Sequence, residues 1–349
     1  MSIIEIKSLK KTYQVYQKKE GLRSSLRGLF KREYKQVKAV QGIDLQITQG
    51  DFVAFLGPNG AGKTTTLKLL SGVIHPTSGT ATVMGHTPWH RENEYRRRFA
   101  LVMGNKNQLW WDLPAQESFR LHQQIYRIET DAFQNTLDEL TDLLDLRDLL
   151  QQPVRELSLG QRMKMELTAA LLHNPEVLFL DEPTIGLDVV AQHNIQQFLK
   201  YYQQKRKITI LLTSHYMKDV AALCKRVVII ADGLIKYDGS LEGIIESTDQ
   251  RKLITLQFRE TIDDSLLTAM KKFGDVTDVE TPRIKLTVAR DIVSHMLSSI
   301  LDGYQVDDVI VEDPPLEDVI ATVFSEVTEG RVNQIDDDKF DSLGDGQGL

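Results

Sequence analysis

The chain has 349 residues, 41% hydrophobic and 26% charged, with a net charge of −7; this ordinary globular balance excludes collagen-like and wholly disordered classes. A single cysteine, Cys224, excludes an intrachain disulfide and implies a reducing compartment. No signal-like pattern opens the chain, and its apolar runs fall short of the ~20 residues that span a bilayer, so any membrane role is expected to pass through a partner.

A strand pattern, IIEIKSL, opens the chain and runs to KKTY. A polar, basic insertion follows over roughly 14–37, and residues 1–40 carry eleven Lys/Arg against three Glu. That balance fits a solvated loop, or a face for lipid headgroups or nucleic acid. A second strand pattern, VKAVQGIDLQI, precedes a continuous apolar strand over Phe52 to Leu56. Further strands are expected at 177–180, 208–213 and 226–231, alternating with helices, which argues for a mostly parallel sheet with helices on its faces. Between about 88 and 174 no strand is expected. Helical periodicity over Ala115–Tyr126, Asp131–Leu143 and Gly160–His173 predicts an inserted helical subdomain.

After Gly239 the order becomes strand, helix, strand, strand, helix, strand, a ferredoxin-like β-α-β-β-α-β unit, closed by a helix-like PLEDVIATVF. The expected fold class is therefore α/β: a mostly parallel sheet, which the loop GPNGAGKTT at Gly57 to Thr65 makes a P-loop NTPase sheet, with an inserted helical subdomain, plus a small C-terminal α+β domain. The domains are placed at 1–245 and 251–325, with a disordered acidic tail over 326–349, where seven acids face two bases. The small domain shows no catalytic constellation, so a dimerisation or regulatory role is expected of it.

Chemistry concentrates in the first domain. Gly57-Pro58-Asn59-Gly60-Ala61-Gly62-Lys63-Thr64-Thr65 follows a strand and leads into a helix, the context that G-x-x-x-x-G-K-[ST] requires. Its glycines let backbone N–H groups curl around a phosphate, and the helix N-terminus favours the anion. Lys63 is placed to reach β- and γ-phosphates and Thr64 to ligate Mg²⁺. At 177–183, VLFLDEP ends a buried strand in two carboxylates. Asp181 suits the magnesium shell and Glu182 suits polarising an attacking water. Ser158-Leu159-Gly160-Gln161 heads a helix, with Ser158 as N-cap. His215 leaves the same sheet edge.

Taken together these pieces resemble the nucleotide-binding subunit of ABC transporters over about residues 3–245. In that family the P-loop, the LSGGQ signature, the DE pair, a D-loop and a switch histidine occur in this order. Here they read GPNGAGKT, LSLGQ, LDE, GLD (with Asp188) and His215, the signature departing only at Leu159. The set LWWDLP, LSLGQ and DEPTIGLDVVA is similar to the ATPases of ABC-2-type export systems. The resemblance implies ATP and Mg²⁺, a homodimer or pseudo-dimer with the signature acting in trans, separate membrane permease subunits, no nucleic acid, and a peripheral place on the cytoplasmic face of the membrane. It also puts Tyr13 on the adenine, with Tyr16 and Tyr34 as rivals across the insertion, and the Q-loop glutamine at position 105, where this chain has Asn105. Either Asn105 or the nearby Gln108 takes that role, including its share of the metal site; Asn105 is favoured.

Adjacent Trp110 and Trp111 fall where the family docks its membrane partner. Neighbours on an extended segment face opposite ways, so one ring is expected in the subdomain core and the other in the docking groove. Two other functions compete. A soluble ABC ATPase acting on nucleic acid or ribosomes would carry two cassettes or a coiled coil, and this chain has one P-loop and no heptads. An importer ATPase would carry a C-terminal barrel, which two helices fit poorly.

Overall fold

The computed structural model describes residues 2–16, 34–214, 216–247, 251–259, 261–314 and 319. Residues 17–33 of the basic insertion, His215, most of PLEDVIATVF and the acidic tail lie outside the described residues. Two compact units divide the chain, Met1–Leu241 and Glu242–Leu349.

In the first unit, β1 (Ser2–Tyr16), β2 (Tyr34–Thr48), β3 (Phe52–Leu56), α1 (Lys63–Leu70) and β4 (Ser78–Val83) come first. β1 lies between β2 and β4 in a three-stranded antiparallel sheet. A short helix α2 (Asn93–Arg96) leads to β5 (Phe99–Met103). Three helices follow, α3 (Ala115–Tyr126), α4 (Thr130–Leu143) and α5 (Leu159–Leu171), close to the periodic segments. The chain then alternates through β6 (Val177–Asp181), α6 (Val189–Arg206), β7 (Thr209–Thr213), α7 (Met217–Leu223), β8 (Arg226–Ala231) and β9 (Leu234–Ser240).

The second sheet has six strands in the order β5-β6-β7-β3-β8-β9, parallel throughout except for the β8–β9 pair. Every residue of β3, β6 and β7 is buried, as strands covered on both faces require. Val53, Phe55, Phe179 and Leu211 share one apolar core with Leu67 and Leu70 of α1.

One expectation fails here. Residues 99–103 are not free of strand but form β5, in parallel register with β6 from Phe99↔Val177 to Met103↔Asp181. FALVM is too short for periodicity to separate strand from helical turn, and only the partner strand decides it. The structure also adds β4 and β9, which the apolar pattern left unassigned.

In the second unit α8 (Leu241–Ser247) precedes β10 (Arg251–Phe258), α9 (Asp264–Met270), β11 (Asp275–Glu280), β12 (Arg283–Ala289), α10 (Val293–Gly303) and β13 (Val306–Glu312). The order β11-β12-β10-β13, antiparallel at each pair, is the split βαβ arrangement. Ile284, Leu286 and Val288 alternate into a core with Ile254, Leu256, Met270 and Ile300.

Candidate active site

The P-loop joins β3 to α1 at the C-terminal edge of the parallel sheet, where open α/β folds hold their ligands. Gly57 is buried, Pro58 to Gly60 are exposed, and Ala61 to Lys63 turn back into the protein. Gly62 has φ 110°, and a Cβ there would stand 2.4 Å from the Ala39 carbonyl oxygen, so only glycine fits. Thr65 follows in the first turn of α1. The Lys63 ammonium, 5% exposed, donates to the carbonyls of Gly57 (2.6 Å) and Pro58 (3.1 Å). Burial lowers its pKa from the ordinary lysine value, against the opposing pull of Glu182 and Asp181.

Strand order brings the next groups together. β7 lies between β3 and β6, and its last residue, Thr213, is in register with Asp181. The Thr64 hydroxyl sits 2.9 Å from each Asp181 carboxylate oxygen, and the Thr213 hydroxyl donates to Asp181 Oδ1 at 2.7 Å. Glu182 follows at φ 54°, its N–H held by the Thr213 carbonyl (3.0 Å) and Oγ1 (3.1 Å). Gly104, just past β5, donates its N–H to the Asp181 carbonyl at 2.8 Å. A Cβ on Gly104 would lie 2.1 Å from the Glu182 carbonyl oxygen, so the loop after β5 approaches the Glu182 backbone as only glycine allows.

At the head of α5, Ser158 and Gln161 form a full capping box, the Ser158 hydroxyl accepting from Gln161 N at 3.2 Å. Ser158 is exposed and Leu159 lies over Gly186. Gly160 backs onto Ala191. Asp188 caps α6 through Ala191 N at 2.8 Å. Tyr13 is half-buried on β1, with the Lys11 ammonium 5.1 Å from its ring centre.

The loop after β5 separates the two Q-loop candidates. The Gln108 side chain turns back to donate to the Leu101 carbonyl at 2.8 Å, whereas Asn105 is exposed next to Gly104. Leu109, 4% exposed, fills the core position of this segment. Both tryptophans stay outside, 47% and 45% exposed, so the expected buried ring does not exist. The backbone explains the correction. Residues 105–112 run irregularly along the surface, pinned by Trp110 N to Ser118 Oγ and Arg155 N to the Trp111 carbonyl, both 3.0 Å. Trp111 instead lies beneath the Arg162 guanidinium, 5.3 Å from its ring centre.

Sequence reasoning missed several residues. Asp219, 1% exposed, accepts from Thr184, from Gln196 at 2.5 Å and from Ser214 at 3.3 Å. Tyr216 N in turn donates to Ser214 Oγ at 2.9 Å. This network fixes both flanks of position 215 against the loop that follows Glu182. Glu166, 2% exposed, accepts from Gln108 N at 2.9 Å. A buried carboxylate in an apolar helix face was the available signal for both.

Comparison with known proteins gives two family matches: "ABC transporter" over residues 40–185, and "EvrA-like ABC transporter, C-terminal domain" over residues 250–312. The ABC transporter ATP-binding protein NatA of Bacillus subtilis is 33% identical over 218 residues, 62% of this chain and 88% of that protein. The bacitracin transport ATP-binding protein BcrA of Bacillus licheniformis is 31% identical over 248 residues, 71% of this chain and 78% of that protein. The Nod factor export ATP-binding protein I of Burkholderia orbicola is 34% identical over 216 residues, 62% and 70% of the two chains. Among solved structures, the ATP-binding subunit of an ABC transporter superposes with a TM-score of 0.58 at 25% identity, covering 70% of this chain and 92% of that one.

Proposed function

Since this chain belongs to the ATP-binding proteins of ABC transporters and hydrolyses ATP to drive transport, we propose that it works as a dimer beneath separate membrane permease subunits and that the direction is export. Export rests on the Nod factor export ATP-binding protein, by its name. The observation that carries the ATPase reading is the convergence of Lys63, Thr64, Asp181 and Glu182 at one sheet edge, with the Ser158 hydroxyl exposed at a helix N-terminus for a second subunit's nucleotide. One cassette supplies half of a phosphate cage. A peripheral place on the cytoplasmic face of the membrane belongs to the same reading; among the described residues no helix is long and apolar enough to cross a membrane.

Lys63 and the P-loop N–H groups hold the phosphates, Tyr13 the adenine, and Glu182 takes the proton of the attacking water. The D-loop Asp188 and His215 complete the proposed site. The Thr64 hydroxyl and Asp181 carboxylate are hard oxygen donors of the kind Mg²⁺ takes, beside phosphate oxygens and water. Bound there, Mg²⁺ would neutralise charge on the transferring phosphoryl group.

Asn105 is the Q-loop residue in this scheme. Asn105→Ala is expected to cut hydrolysis and weaken its magnesium dependence, while Gln108→Ala changes little because its amide serves Leu101. Steady-state ATPase against Mg²⁺ concentration ranks the two, and the reverse ranking moves the role to Gln108.

Partner docking at Trp110 and Trp111 is tested by assembly. Both rings being half exposed, each Trp→Ala variant is expected to hold stability within roughly 1 kcal/mol, as surface changes do, and to retain ATP binding. Each should reduce co-purification with the permease subunits, since exposed tryptophans anchor interfaces. Normal assembly of both variants would remove the docking role.

A further inference from the structure

Helix α5 carries the signature at its head, yet two of its later side chains reach the segment that holds the tryptophans. Glu166 is 2% exposed, and its carboxylate accepts from Gln108 N (2.9 and 3.1 Å to its two oxygens) and from Leu109 N at 3.4 Å. One turn earlier, Arg162 lies over the Trp111 ring. Residues 162 and 166 are four apart, so both contacts lie on one face of the helix. A buried carboxylate held by backbone N–H groups is a costly arrangement to break, because the ionised oxygens have no other partner of equal strength. The same segment begins three residues after Asn105 and ends on Asp112, which Arg155 holds at 2.9 Å.

We propose that Arg162 and Glu166 are positioning residues that join segment Gln108–Asp112 to the signature helix, so that engagement of Ser158 by a nucleotide across the dimer is registered at Trp111. Neither residue touches nucleotide. Glu166 fixes where the segment sits, and Arg162 converts a movement of the helix head into a change over the ring. By thermodynamic reciprocity, a membrane partner pressing on Trp111 would bias signature engagement by the same factor. This rests on the dimer reading above and adds the route by which the two ends communicate.

The test needs only the purified full chain. In a Glu182→Gln, Trp110→Phe background, Trp111 and the half-buried Trp89 are the remaining fluorophores, and a matching Trp111→Phe sample subtracts Trp89. Acrylamide quenching is read with and without magnesium ATP, while size-exclusion chromatography reads the dimer. The expected result is a shift in Trp111 quenching on ATP-driven dimerisation. Glu166→Gln, which sets an amide NH₂ against the Gln108 or Leu109 N–H, should abolish that shift while the dimer still forms. Arg162→Gln, a polar replacement at a half-buried position, should leave the fold intact and weaken the Trp111 response by about twofold to fivefold, the span of a partly exposed cation–π contact. If Glu166→Gln fails to fold, Arg162→Gln decides alone. A dimer that forms without any Trp111 response, or a full response in both variants, overturns the proposal. Failure to dimerise with ATP overturns the dimer reading and this inference with it, and chromatography tells the two failures apart.

Discussion

Glu182→Gln is expected to lower ATP turnover by roughly 10²–10⁴-fold, the span that loss of a general base costs. The substitution keeps the size and leaves the neighbouring anchors in place. The residue's N–H stays on the Thr213 carbonyl and hydroxyl, and its backbone keeps φ 54°. Thr64, Asp181 and Lys63 do not depend on the Glu182 carboxylate for their hydrogen bonds. ATP binding should therefore survive, and the variant should accumulate as an ATP-loaded dimer because only the hydrolytic exit is blocked. Phosphate release and size-exclusion chromatography read the two effects. Turnover near that of the unmodified protein would dismiss Glu182 as the base and leave the reaction centre to be sought elsewhere.

The second large effect lies away from the site. His173 is wedged between the end of α5 and β5, stacked on Tyr126 with ring centres 3.9 Å apart and 8° between planes. One ring nitrogen meets the Phe99 carbonyl at 3.0 Å, and the other is buried without a protein partner. Protonation would add a buried N–H with no acceptor, so burial, aided by nearby His122, pushes the pKa down to about 4 from 6.5. The unfolded chain then takes up the proton first. Stability is complete above pH 6.5, falls as pH drops below it, and has lost roughly 3 kcal/mol by about pH 4. Carboxylates also titrate in this range, so the informative quantity is a difference. His173→Phe keeps the stack and should remove this part of the pH slope in urea denaturation. Equal slopes for the two proteins would show that His173 stays protonated or exposed.

The P-loop, the DE pair and the signature were readable because each is a local device, a backbone turn or a strand end whose chemistry follows from residues a few positions apart. The same holds for α3, α4 and α5, whose apolar stripes recur at helical spacing. What escaped reading depends on distance. Glu166 and Gln108 are 58 residues apart, and Thr184 and Asp219 are 35 apart. β5 became a strand only by lying beside β6. The tryptophans were misplaced for a related reason. Alternation along an extended segment assumes a regular strand, and residues 105–112 are an irregular surface run in which Leu109 alone goes inside.

The arrangement of β3, β7 and β6 as consecutive neighbours has a consequence for how such a molecule diverges. The atoms that meet at Asp181 come from the ends of β6 and β7 and from the first turn of α1, which follows β3, and no helix of the inserted subdomain takes part. Everything between Gly104 and Glu176 leaves and rejoins the sheet at adjacent strands, β5 and β6. Apart from Asn105 and the signature Ser158–Gln161, that stretch can change length and surface while the hydrolytic edge keeps its spacing. Changes on the insert's remaining exposed surface should therefore leave the Thr64–Asp181–Thr213 hydrogen bonds unaltered.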